Sequence, residues 1–244
     1  MGALPPRPRD IFSKKKMTAR PRILAFDTSG PHCAASLFVS EDHWVWRKEE
    51  MARGQAERLI PLLEEVLGEA ELGWGDLDAL AVGVGPGNFT GTRIAVSAAR
   101  GLVLSLGIPA IGVNMFDVRA LGYFKLPDAH ALALVCLRGP RDSLYVQLLG
   151  PEGALAAPRQ IDPKTDDLTV EEARAVAIGP ASDFMKHRLQ VDSRQNNSVR
   201  SLNRTIFIAE TVLATGAEIA PPAPLYVRAA DAAPASDPPP VILP

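Results

Sequence analysis

The densest set of residues able to do chemistry is Gly85-Pro86-Gly87-Asn88-Phe89-Thr90-Gly91, set between an apolar run, Leu77 to Val84, and a helical stretch, Thr92 to Leu106. A strand, loop and helix in this order can aim unpaired backbone N–H groups and the positive end of a helix dipole at an anion, and glycine lets the backbone come close to it. Two readings stay open. In one the loop binds a phosphate or nucleotide, with Arg93 just inside the helix as an added cation. In the other Gly85 and Gly87 supply turn geometry, a positive φ at Gly87 included, and Asn88 or Thr90 merely caps the helix. The pattern is neither a Walker loop nor a dinucleotide fingerprint. A second set, Asp27-Thr28-Ser29, offers a carboxylate for a metal-bound water or a phosphate partner and two hydroxyls. Taken alone it reads better as a polar hairpin turn bonding its own backbone.

Other reactive residues are scattered. His32, His43, His130 and His187 show neither i,i+3 nor i,i+4 spacing, so no zinc-type pair is present. Cys33 and Cys136 sit in separate apolar runs and read as buried thiols of a reducing compartment. Ser97 and Ser105 lie on a helix without a nucleophile motif. The stretch from Lys186 to Arg204 is basic among Ser, Asn and Gln; it reads as a solvated loop, with RNA contact as the sharper alternative.

These residues must be held by an α/β protein. The chain has 244 residues, 47% hydrophobic and 22% charged, enough for one large domain or two modest ones sharing a groove. A formal net charge of -2 offers no whole-molecule attraction for a polyanion. No apolar run approaches the ~20 residues of a membrane helix, so a cytoplasmic location is expected. RILAFDTS, CAASLFVS and HWVWRKEE read as three strands of an antiparallel meander. From Gly54 to Ala70 an apolar stripe recurs at helical spacing, and Leu62 and Val66 make it wide enough for two packing partners; Pro61 suits the first turn and otherwise kinks the helix. Gly107 closes the next helix, Pro109 to Val113 is a short strand, and a helix runs from about Asn114 to Gly122. The first half is therefore βββαβαβα. Near His130 the pattern restarts with ALALVCLRG and SLYVQLLG, then strands at Leu155 to Ile161 and Ala175 to Ile178 and helices near Ala181 to His187 and Leu202 to Thr215. The expected division is 1–21 as an extension outside the fold, disordered or added upstream of the strands; 22–122 as a first lobe; 123–220 as a smaller second lobe; and 221–244 as a Pro-rich tail anchored only by Leu225-Tyr226-Val227.

Three stretches together, ILAFDTSG, GVGPGNFTGTRIAVSAARGL with IPAIGV, and PLYVRAADAAP, resemble the bacterial TsaB (YeaZ) family from about Arg22 to Pro234. The resemblance implies a two-lobed actin-like ATPase (ASKHA) fold. It also implies a non-catalytic partner of TsaD, the paralogue that places a threonylcarbamoyl group on tRNA adenosine, with the ATPase TsaE as a further partner and a homodimer when the partner is missing. On this reading tRNA is met only through the complex, no cofactor is required, and ATP or ADP belongs at the complex interface. The catalytic paralogue binds metal through an HxxxH pair; the matching positions here are Met115 and Arg119, and a thioether and a permanent cation cannot replace two imidazoles. The family's partner contact is a bundle of first-lobe helices, so Leu59, Leu62, Leu63, Val66 and Leu67, with Ala95 and Ala98 of the next helix, form the expected interface, with Leu62 or Val66 facing outward. The polar run Gln195 to Arg204 departs from the family pattern. Two other functions compete with this one: an ATP-dependent ASKHA phosphotransferase using Asp27 and the Gly85 to Gly91 loop, and a metallopeptidase, which the missing histidine pair opposes.

Overall fold

The computed structural model describes residues 20–40, 43–192 and 199–227, the last stretch without the side chains of 199 and 200. Expectations for residues 1–19, for 193–198 and for the tail beyond 227 lie outside these residues.

Alternation along the strands dictates the first layer set. In β1 (Ile23–Asp27) Leu24 and Phe26 point to one face and Ile23 and Ala25 to the other, and in β4 (Ala79–Gly83) Leu80 and Val82 oppose Ala79 and Ala81. Strands buried on both faces need cover on both. The sheet adds β2 (His32–Ser40), β3 (His43–Glu50) and β5 (Ala110–Val113) in the order β3-β2-β1-β4-β5, antiparallel through the meander and parallel from β1 to β5. One face is covered by α1 (Gln55–Glu69) and α2 (Phe89–Leu106). Pro61 falls past the first turn of α1 but on its exposed face, so the carbonyl it leaves without an i+4 donor lies on the solvent side.

The second sheet repeats this plan. β6 (Ala133–Arg138) pairs antiparallel with β7 (Leu144–Gly150), which also holds β8 (Gly153–Ala154) and β9 (Arg159–Ile161); β10 (Val176–Ile178) and β11 (Val191–Asp192) continue in parallel on the other side of β6. Of the two helices expected in this half, Ala181 to His187 is reduced to a 3-10 turn over Ser182–Met185, whereas Leu202 to Thr215 forms a full helix, Val199–Ala214.

The linear division of the chain does not divide the core. Helix α3 (Met115–Phe124), the end of the expected first lobe, packs Phe116, Ala120 and Tyr123 against Val135, Leu137 and Ile178 of the second sheet. Helix α4 (Val199–Ala214), assigned to the second lobe from sequence, packs Ile206 and Ala209 against Ile23, Ala25 and Ala81 on the open face of the first sheet. The two helices are exchanged because each buries its apolar stripe on the sheet face left uncovered by its own half.

Candidate functional site

β1 and β4 are parallel neighbours, so their carboxyl ends lie together, and in open α/β sheets such ends are where ligands bind. There the Asp27-Thr28-Ser29 turn meets the Gly85 to Gly91 loop. The Asn88 amide donates to the Ser29 carbonyl at 2.6 Å, and Thr28 Oγ1 donates to the Gly91 carbonyl at 2.6 Å. Asn88 Oδ1 accepts from the Gly91 amide at 2.9 Å, capping α2, and the Met115 amide donates to the Gly85 carbonyl at 2.8 Å. The two sequence motifs therefore interlock, and much of the polarity that could cradle a phosphate is engaged inside the lobe. Gly87, Asn88, Phe89 and Thr90 remain exposed, while Gly85, Pro86 and Gly91 are buried. The left-handed residue is Gly85, with φ 88°, and not Gly87 as the turn reading expected. What Gly87 provides is proximity: a Cβ there would lie 2.3 Å from the Ser29 carbonyl oxygen.

Asp27 is buried against this corner, with Oδ1 accepting the Ser29 amide at 2.7 Å and the His32 ring 3.8 Å from Oδ2. Burial pushes its pKa up, but His32 and the Ser29 bond outweigh it, and the carboxyl sits below its ordinary 3.8. A depressed carboxylate contributes stability that is complete above its unfolded value and is lost as pH falls through the folded one. The stability gap between the unsubstituted chain and Asp27→Asn, measured by urea unfolding, is therefore expected to be full at neutral pH and to close below about pH 4. A gap unchanged at pH 3 would show that Asp27 does not act through its charge.

Arg119 on α3 is buried close enough to Asp27 and Arg204 to feel both charges. Burial and then the neighbouring Arg204 charge pull its pKa down to about 10, with Asp27 acting in the opposite direction. Arg204 lies flat against Gly122, where a Cβ would fall 2.3 Å from its Cζ. The expected basic stretch is thus not one surface. Arg204 faces the interior, whereas Lys186, His187 and Arg188 line a groove of about 550 Å³ in the second lobe with Phe184, Lys164 and Asp183. The cysteines are the buried thiols expected; burial, with a smaller push from Glu49, raises Cys33 to about 11, and burial, with Glu172, raises Cys136 to about 12.

The residues expected to form the partner surface stand differently. Leu59, Leu62, Leu63, Val66, Leu67 and Ala95 are all at most 2% exposed, inside the core between α1, α2 and the sheet. Neither Leu62 nor Val66 faces outward: the wide stripe meets both the sheet and α2. The flank of α1 toward β3 carries ion pairs, Arg58 with Glu49 at 2.6 Å and with Glu65 at 2.7 Å. Between α1 and α2 lies a mainly apolar groove of about 460 Å³, lined by Ala56, Ile60, Phe89, Arg93, Ile94 and Ala98 and floored by Leu59. Ile60 and Phe89 are 37% and 44% exposed. Sequence periodicity placed Ile60 on the stripe but not at its outer edge.

Two sheets repeating one strand plan, with a glycine loop where the strands of the first sheet end, define a two-lobed α/β protein of the actin-like ATPase class. A family model described as "TsaD: tRNA N6-adenosine threonylcarbamoyltransferase" matches residues 49–178. The chain belongs to this family, and the relatives it matches within it include TsaB proteins. It is 36% identical over 105 residues to the Escherichia coli "tRNA threonylcarbamoyladenosine biosynthesis protein TsaB", covering 43% of this chain and 45% of that protein. The Haemophilus influenzae protein of the same description is 34% identical over 107 residues, covering 44% of this chain and 45% of its own. The chain thus matches rather less than half the length of either relative. A solved structure, YeaZ from Pseudomonas aeruginosa, superposes with a TM-score of 0.66 at 22% identity, over 84% of this chain and 99% of that one, which establishes the shared fold. Among the described residues no helix is long and apolar enough to cross a membrane.

Proposed function

We propose that this chain is a non-catalytic scaffold and activator subunit of a cytoplasmic complex that forms threonylcarbamoyladenosine on tRNA. Its partners are a catalytic TsaD homologue and the ATPase TsaE. The observation that carries the reading is Arg119: a buried guanidinium, facing the charge of Arg204, stands on α3 where the family resemblance puts a metal-binding histidine of the catalytic paralogue. Neither a guanidinium nor the Met115 thioether can take the place of an imidazole ligand, so these residues do not fit a catalytic divalent metal. The α1/α2 groove supplies the docking face, used by a second copy of the chain when the partner is missing. Nucleotide, where it enters, binds at the complex interface, and tRNA is met through the complex, in keeping with the net charge of -2.

The test is reconstitution. The chain alone is expected to give no transfer of threonylcarbamoyl to tRNA and no peptide cleavage, and to raise activity when added to purified TsaD and TsaE homologues from the same genome. Turnover by the chain alone that a chelator abolishes would overturn the reading. Tight magnesium-dependent ATP binding to the isolated chain, measured calorimetrically, would favour an ASKHA phosphotransferase instead.

A further inference from the structure

After α4 the chain returns over the first lobe as an extended strap. Arg100 Nε donates to the Pro222 carbonyl at 2.8 Å, and the Leu225 amide donates to the Val84 carbonyl at 2.8 Å, continuing from the end of β4. The Leu225 side chain packs against both the core beneath α1 and α2 and the core between α3 and the second sheet. This anchorage puts Tyr226 at the first turns of α2. Its ring lies 5.3 Å from that of Phe89, and its hydroxyl accepts from Arg93 Nε at 2.9 Å. The Arg93 guanidinium in turn sits 3.8 Å above the Phe89 ring. Phe89 and Arg93 both line the α1/α2 groove, and Phe89 and Tyr226 are 44% and 46% exposed.

A solvent-facing arginine normally loses rotamer freedom when it is used in binding, and that loss is smaller if it is already held. Here a tyrosine from far along the chain holds it. We propose that Tyr226 is a positioning residue of the docking face: it fixes the Arg93 cation over Phe89 at the rim of the apolar groove. The inference rests on the docking role assigned to that groove above. Because the groove runs between two helices, the element that fits is an amphipathic helix whose apolar side chains enter beside Ile60 and Ile94. Among the described residues the Nε contact is the hydrogen bond Arg93 makes, so its terminal nitrogens are placed for a carboxylate on that helix.

The experiment is a binding titration with the purified catalytic homologue, at low and high salt. Tyr226→Ala and Arg93→Ala are each expected to weaken binding about tenfold and to flatten its salt dependence. The double variant should be no weaker than either single one, because both remove the same held cation. Tyr226→Phe, which keeps the ring and loses the hydroxyl, should fall between, and melting temperatures should stay within a few degrees. If Ile60→Asp abolishes binding while Tyr226→Ala leaves it unchanged, or if the Tyr226 and Arg93 losses simply add, the positioning role is wrong and the docking face stands. If Ile60→Asp binds normally, the docking face falls and this inference with it.

Discussion

Gly91→Ala is expected to destabilise the protein by about 3 kcal/mol or more, and Gly91→Val to leave no folded chain. A Cβ at Gly91 would land 1.9 Å from the Thr28 carbonyl oxygen. The clash is between two pieces of backbone, so no side chain can swing aside. Nor can the backbone separate easily: Thr28 Oγ1 is bonded to the Gly91 carbonyl at 2.6 Å, and β1, which delivers Thr28, lies between β2 and β4 in the sheet. Gly87 is constrained in the same way by the Ser29 carbonyl, and Gly87→Val should also be strongly destabilising although its φ is unexceptional. Gly101, on the same helix, is the control. Nothing lies within 4 Å of a Cβ there, so Gly101→Ala is expected to be neutral or to add about 0.5 to 1 kcal/mol. Urea unfolding of Gly91→Ala, Gly87→Val and Gly101→Ala measures this. Equal stabilities for Gly91→Ala and Gly101→Ala would mean that the turn and the loop do not interlock as described.

Substitutions on the inner and outer flanks of α1 are expected to separate folding from association. Leu62→Glu places a carboxylate at a position 0% exposed, among the apolar side chains of Leu59, Leu63, Val66 and the sheet. An unpaired buried charge costs several kcal/mol even after it protonates, comparable to the whole stability of an ordinary domain, so the chain should lose its cooperative unfolding transition. Val66→Glu should behave alike. Ile60→Asp alters a side chain 37% exposed at the edge of the groove. Circular dichroism and melting should change little, whereas association with the catalytic homologue, and any self-association, should weaken by ~2 kcal/mol or more. Folded Leu62→Glu that has lost only partner binding would reverse the assignment of inner and outer flanks.

What the sequence determined was local. Strand pairs in both halves, a cap at Asn88 or Thr90, the Gly107 stop and the glycine loop at the end of β4 were all legible, because alternation, capping and φ preference act over a few neighbouring residues; that Asn88 is the cap, and that Asn114 caps the next helix, the structure added. The repeated strand plan was legible for the same reason, and so was the anchoring role of Leu225 and Tyr226 in a tail otherwise rich in proline.

What tertiary structure decided was which surfaces meet. A stripe covering half of α1 can be buried on either flank, and only the placement of α2 and the β3 ion pairs left Ile60, and not Leu62 or Val66, at the open edge. The exchange of α3 and α4 carried no sequence mark, since an amphipathic helix encodes one apolar face but not the sheet that will cover it. For the same reason Arg204, which read as part of a solvated basic run, came to lie on Gly122 beside Arg119: periodicity describes a helix to itself, and distance along the chain says nothing of distance across the fold.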